Sequence, residues 1–418
     1  MRPVAALLCA LPAFAGCTAT ATNPEPALHS FRKIVLSETF YAEGATYGDL
    51  NRDGVMDIVA GPYWYAGPEF TERHEYYPPK PFDPEGYSDN FFAHVYDFDD
   101  DGWNDIFIIG FPGEEASWYR NPGEAGEGHW ERHLVFQGVD NESPAWLDLT
   151  GDGRPEIVCI HGSRYGYVEP DWSDPTRPWT FRPISEDGGW QKFTHGLGVG
   201  DVNGDGRLDV LDKDGWWEQP ATLQEGQTWT RHAADFAEQG GAQMYVYDLD
   251  GDGDNDVVTS LHAHGYGLAW FEQVGDAGGT RFVRHEIMGD EPSDNPYGVR
   301  FAQLHAVELV DMDGDGLLDI VTGKRHWAHG STGDVDADAP PVIYWFRTVR
   351  DGNGGVEFVP YLIDDDSGVG VQVVVGDVNA DELPDVVIAN KRMTAVLLHE
   401  VQYVDSAAWE AAQPQPTR

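Results

Sequence analysis

Seven short acidic loops set the register of this 418-residue chain. Each has the form D-x-[D/N/T]-x-D-x-x-x-[D/E] and runs straight into an apolar segment. The side chains at positions 1, 3, 5 and 9 are Asp49, Asn51, Asp53 and Asp57 in the first loop and Asp97, Asp99, Asp101 and Asp105 in the second. The third has Asp148, Thr150, Asp152 and Glu156, and the fourth Asp201, Asn203, Asp205 and Asp209. The fifth carries Asp248, Asp250, Asp252 and Asp256, the sixth Asp311, Asp313, Asp315 and Asp319, and the seventh Asp377, Asn379, Asp381 and Asp385. Oxygen-bearing side chains at this spacing curl around one hard cation, and Ca²⁺ takes roughly six to eight oxygens at about 2.3–2.6 Å. Glycine at position 6, where the loop turns sharply, is present in six copies and is replaced by Glu382 in the seventh. The expected cofactor is therefore calcium, several ions per chain.

The loops are not EF-hands, which need a bidentate Glu at position 12 and flanking helices. Position 12 here is Ala60, Ile108, Cys159, Asp212, Thr259, Thr322 and Ile388, and the flanks are β-rich runs such as Asp256-Val-Val-Thr259. The spacing, the apolar residues ahead of each loop and the strand behind it resemble the FG-GAP/VCBS repeat of integrin-α-like β-propellers. That resemblance runs over nearly the whole chain after its N-terminal segment. It implies that each loop joins the first and second strands of a blade and binds calcium.

Successive loops start 48, 51, 53, 47, 63 and 66 residues apart, a period suited to about four strands per unit. Aromatic strands follow the loops at Tyr63-Trp-Tyr65, Ser117-Trp-Tyr119, Tyr165-Gly-Tyr167, Gly215-Trp-Trp217, Ala269-Trp-Phe271 and Tyr344-Trp-Phe346, with Ala395-Val-Leu-Leu398 in the seventh repeat. A fourth strand precedes each later loop, but none follows Glu400, whereas Phe31-Arg-Lys-Ile-Val-Leu36 resembles one. The expected fold is all-β, a seven-bladed β-propeller closed by an N-terminal strand that completes the last blade. This gives a propeller over residues 31–402, a tether over 17–30 and a tail over 403–418.

Residues 1–16 read as a signal peptide, with Arg2 ahead of the apolar stretch Val4–Phe14. Ala15-Gly16-Cys17 resembles the lipobox of bacterial lipoproteins, with Cys17 the lipidated residue, and Ala13-Phe14-Ala15 also fits an ordinary cleavage site. The chain is thus expected to be exported, as a cell-envelope lipoprotein or secreted, touching a membrane only through a lipid anchor. The formal charge of −46 argues against nucleic acid and anionic membrane surfaces as partners.

Strand alternation places any site opposite the loops. Six residues before each loop aspartate stand Glu43, Phe91, Glu142, His195, Ala242, His305 and Val371, at the start of the innermost strands. Ends of the second strands add His161, Asp212-Lys213, His262-Ala-His264, Lys324-Arg325-His326 and Lys391-Arg392, with His329 nearby. His262-x-His264 has the alternate spacing that sets two imidazoles on one side of an extended segment, so Zn²⁺ or another divalent metal is a further expectation at the channel mouth, together with His195 or His305. The segments 141–144, 194–200, 241–245 and 323–330 more faintly resemble the propeller portion of aldos-2-ulose dehydratases, which act on keto-sugars. That resemblance implies a carbohydrate lyase or dehydratase working by proton abstraction and β-elimination. In this reading His195 or His305 is the base, Arg325, Lys324 or a His-bound metal the electrophile, Tyr266 the acid, and Glu142 a further acidic group on the rim. The alternatives are a non-catalytic glycan- or protein-binding propeller using the same rim, and a structural component of an envelope assembly.

Overall fold

The computed structural model describes residues 26–126, 128–276 and 279–417. The expected signal peptide and residues 17–25 of the expected tether lie outside the described residues. Each acidic loop turns the chain from one strand into its antiparallel neighbour. The strands before the loops are Ala45–Gly48, Phe92–Tyr96, Asp140–Leu147, Leu197–Gly200, Gln243–Tyr247, Val307–Val310 and Val373–Gly376. Every strand after a loop begins on the loop's own position-9 acid, at Asp57, Asp105, Glu156, Asp209, Asp256, Asp319 and Asp385. That residue pairs with the last residue of the preceding strand, as in Gly48 with Asp57 and Val310 with Asp319. Third and fourth strands follow, so the described residues form an all-β propeller arrangement with one short α-helix, Ser406–Ala412.

The apolar positions behind the loops build the core. Phe107 and Trp118 of the second repeat pack with Ile157 and Trp179 of the third, and Val210 and Trp217 of the fourth pack with Val158 and Tyr165 of the third. Ile58 and Tyr65 of the first repeat meet Val387 and Leu398 of the last, which links the two ends of the series. Each fully buried Phe or Ile contributes roughly 1.5–3 kcal/mol, against about 1 kcal/mol net for a hydrogen bond, so these clusters dominate the packing between repeats.

Hydrogen bonding divides the strands into five separate four-stranded sheets and one of eight strands, where seven separate blades were expected. The large sheet arises because Leu197–Gly200 pairs in parallel with Gln243–Tyr247, Leu197 opposite Gln243 and Gly198 opposite Met244. Two glycines permit this approach. A Cβ at Gly198 would meet Met244 Cβ at 2.5 Å, and one at Gly200 would meet Val246 Cβ at 2.5 Å.

The N-terminal strand, Ala27–Ser37, runs antiparallel to Thr394–Tyr403 of the last repeat, from Ala27 opposite Tyr403 to Ser37 opposite Thr394. Residues 27–30, expected as tether, therefore belong to this strand. Beyond Tyr403 the chain turns into the helix, whose N-cap Asp405 accepts from Ala408 N–H at 2.8 Å. The C-terminal segment folds back, with Thr417 N–H donating to Pro296 O at 2.9 Å.

Candidate functional site

The position-9 acids brace the loops. Asp57 Oδ2 accepts from Leu50 N–H at 2.8 Å within the loop, and Oδ1 accepts from Gly67 N–H at 3.1 Å just past the third strand. Asp105, Asp209, Asp256, Asp319 and Asp385 repeat this double grip, the last on Val378 and His399. The third loop departs, because Glu156 turns its second oxygen to Thr150 Oγ1 at 3.0 Å. Burial pushes these acids up, Asp57, Asp209 and Asp385 to about 6 and Asp105, Glu156, Asp256 and Asp319 to about 7, with neighbouring loop carboxylates adding to the shift.

Positions 1, 3 and 5 crowd more acids beside them. Asp97, Asp99 and Asp101 bring oxygens within 4.8 Å of one another, as do Asp148, Asp152 and Glu156, and Asp248, Asp250 and Asp256. Buried acids beside further carboxylates are the donor set that a hard cation relieves, so these residues fit calcium. In four of the loops an arginine lies against the same acids, with Arg120 Nε 2.8 Å from Asp99, Arg347 Nη2 3.1 Å from Asp315, Arg350 Nη2 3.9 Å from Asp248 and Arg207 against Asp205.

The opposite face has no such periodicity. Glu142, His195 and His305 stand at the starts of the third, fourth and sixth innermost strands, and His264 comes from the loop after the second strand of the fifth repeat. Ligating atoms of these four residues all lie within 4.8 Å of one another. His195 Nε2 is 3.0 Å from His264 Nε2 and 3.3 Å from Glu142 Oε2, while His264 Nδ1 is 3.3 Å from His305 Nε2. Only 13% of the His195 side chain, 12% of Glu142 and 1% of His305 are exposed. Burial, and then the neighbouring imidazoles and Lys391, hold His305 well below the ordinary imidazole range, so its ring is neutral and has a lone pair to offer. Three imidazoles and a carboxylate at these separations fit a divalent transition metal.

Basic side chains surround this group. Arg325, buried, pairs with Glu43 and approaches His305 Nδ1 at 3.4 Å through Nη1. Lys324 Nζ donates to Arg325 O at 3.3 Å, and Lys391 Nζ donates to Ala328 O at 3.2 Å. Burial, and then the charge of Arg325, lower Lys391 to about 7. Among the described residues no carboxylate lies within ion-pair distance of Lys324 or Lys391.

The expected site residues divide accordingly. Glu142, His195, His264 and His305 converge, and Arg325 joins them through His305. His262 stands aside, its ring centroid 6.4 Å from that of His264. Tyr266 is engaged elsewhere, donating to Asp336 Oδ2 at 2.5 Å and accepting from Arg300. Burial, and then Asp336, raise it to about 12. Sequence reading missed Asp334, which lies in the long excursion between strands Asp319–Gly323 and Ile343–Arg350. Its side chain is 1% exposed and sits 3.4 Å from His264 Nδ1 and 2.7 Å from His329 Nδ1. The visible sign was the stretched spacing of 66 residues between the sixth and seventh loops.

A separate cleft of about 540 Å³ opens on the loop face, lined in part by Trp345, Tyr361, Trp409, Arg347 and Asp313.

Residues 97–159 match the FG-GAP-like repeat family. No curated protein matches the chain. Among solved structures it is similar to a lectin of Agrocybe aegerita that recognises non-reducing terminal N-acetylglucosamine, at 19% identity and a TM-score of 0.43, covering 88% of this chain and 86% of that one. It is also similar to the V. cholerae biofilm matrix protein Bap1, at 11% identity and TM-score 0.44, covering 90% and 89%. The rhamnogalacturonan lyase YesW aligns at 12% identity and TM-score 0.41, covering 91% of this chain and 72% of that one. Likeness this distant leaves activity to be argued from the site itself. What the chain carries by family is an FG-GAP-like repeat, set within a β-propeller arrangement.

Proposed function

We propose that this chain is an exported, calcium-binding propeller enzyme that acts on a carbohydrate by proton abstraction and β-elimination, a lyase or dehydratase. The observation that carries the reading is the convergence of Glu142, His195, His264 and His305, drawn from four repeats, beneath buried cationic side chains. These four residues would hold a divalent transition metal. Bound there, it would supply electrophilic stabilisation of the negative charge that develops when a proton leaves the carbon α to a carbonyl or carboxylate. His195, the partly exposed imidazole of the group, is a ligand in this reading, and its contact with Glu142 orients its ring toward the cation. Lys324, buried with no carboxylate within ion-pair distance among the described residues, gives the site a positive potential suited to an anionic sugar such as a uronide, or to an enolate, and Lys391, lowered to about 7, can take up a proton there. Arg325, neutralised by Glu43, positions His305.

The finer architecture belongs to the same proposal. The eight-stranded sheet is two blades bridged by a short parallel contact, so the ring has seven blades and the N-terminal strand completes the last. Positions 1, 3, 5 and 9 of the loops supply the calcium ligands, and position 9 also braces the turn. Residues 1–16 serve as the export signal and Cys17 as the lipid-anchored residue.

The loop-face cleft, with two Trp, a Tyr and an Arg, favours a second reading, a non-catalytic glycan binder. One experiment separates the two. Purified protein is incubated with keto-sugars, uronides and oligosaccharides while unsaturated product is followed by ultraviolet absorbance. The enzyme reading expects product that disappears in His195→Ala. Thermal stabilisation by a sugar with no product across the panel would defeat it in favour of binding.

A further inference from the structure

We propose that the apical cluster takes two divalent transition-metal cations that share His264, one on its Nε2 and one on its Nδ1. The inference rests on the metal site proposed above and adds to it a second cation held by His264, His329 and Asp334.

The two ring nitrogens of His264 face different partners. Nε2 points to His195 Nε2 at 3.0 Å, with Glu142 Oε2 3.3 Å beyond that atom. Nδ1 points the other way, to His305 Nε2 at 3.3 Å and to Asp334 Oδ1 at 3.4 Å. An imidazole is rigid, and a cation on one nitrogen lies in the ring plane on that side alone. No single ion can therefore use both sets of partners. His264, His329 and Asp334 form their own group, with ligating atoms within 4.8 Å of one another.

The His264–Asp334 separation favours a cation over an ordinary hydrogen bond on the second side. An N–H···O bond spans roughly 2.7–3.2 Å, so 3.4 Å between His264 and Asp334 is long for one. Two ligands each about 2.0–2.1 Å from a tetrahedral cation stand about 3.3 Å apart, close to the His264–Asp334 spacing, whereas His329 Nδ1 and Asp334 Oδ1, 2.7 Å apart, form a hydrogen bond that an arriving ion would open. Asp334 is also built into place. Its side chain is 1% exposed, its Oδ2 accepts from His329 N–H at 2.6 Å, and its Oδ1 is left to the two imidazoles. His329, 50% exposed, is the ligand with room to turn toward an arriving ion. When both nitrogens of His264 are ligated, its ring proton is released to solvent, so the second cation binds with loss of one proton.

The test is equilibrium dialysis of the calcium-saturated full chain against zinc, followed by elemental analysis. Calcium saturation keeps the oxygen-rich loops filled by the harder ion. The expected result is two zinc equivalents for the natural sequence and one each for Asp334→Ala and His329→Ala. His329 is half exposed, so its variant guards against a folding defect in the other. Cobalt loaded into both positions should further show a spin-resonance intensity per ion below that of the Asp334→Ala protein, because the shared ring couples the two ions. One zinc equivalent in the natural sequence would overturn the second site while leaving the single-metal enzyme reading intact. Two equivalents that persist in both variants would place the second ion elsewhere and also overturn it. No zinc bound at all would defeat both readings.

Discussion

The two faces of this propeller use similar residue types for opposite purposes. On the loop face, carboxylates recur in register and hold backbone. Six position-9 aspartates each grip one N–H inside their loop and a second at or just past the third strand. On the apical face, the corresponding register positions hold Glu43, Phe91, Glu142, His195, Ala242, His305 and Val371, no two neighbours alike. Repetition serves the fold, which needs the same turn made again and again. Departure from repetition marks the place where unlike side chains converge on one point.

The sharpest way to break this contrast is to remove one group from each face. His195→Ala should lower turnover by roughly 10²–10⁴-fold and leave the melting temperature near that of the natural protein, read by product absorbance and calorimetry. A comparable loss of activity on truncating one loop acid would erase the distinction between the faces. Chelation comes next. Each calcium bound only by the folded loops stabilises by about 2.7 kcal/mol at a hundredfold excess over its Kd, so excess chelator should lower the melting temperature by many degrees. An unchanged melting curve would remove calcium from the account.

A smaller effect is expected for Asp105→Asn, which turns one acceptor oxygen into an amide donor facing the N–H of Phe98 or Asn121. The cost should be about 1–3 kcal/mol in chemical denaturation, with metal content on the apical face unchanged. The smallest is a pH effect in metal-free protein. The position-9 acids are raised to about 6 or 7, above their unfolded values, so ionising them opposes folding. The stability they contribute is present in acid and lost as pH rises through 6–7. Metal-free protein should therefore melt a few degrees higher at pH 5 than at pH 8, and calcium should flatten the difference. A melting temperature that rises with pH in metal-free protein would contradict the burial of these acids.

Much of the fold was legible because its determinants are local. Loop spacing placed every second strand, and Phe31–Leu36 announced its pairing with the last repeat by resembling a fourth strand that the C-terminal end lacks. The joined fourth and fifth sheets were not legible, since their parallel contact depends on how closely Gly198 and Gly200 allow Met244 and Val246 to approach. At the site, counting six residues back from each loop found Glu142, His195 and His305, which share one level of the ring. His264 was flagged for its spacing to His262, yet its partners lie in other repeats. Asp334 escaped because it sits in a long excursion without periodicity, and its burial against His264 is a tertiary fact.

The central claim is that the apical imidazoles form a metal site distinct from the calcium loops. Crystals grown with calcium and zinc, measured on either side of the zinc absorption edge, test it directly. The account predicts an anomalous zinc peak among Glu142, His195, His264 and His305, with none in the acidic loops. A map with zinc only in the loops, or with no anomalous peak at the apical residues, would contradict it.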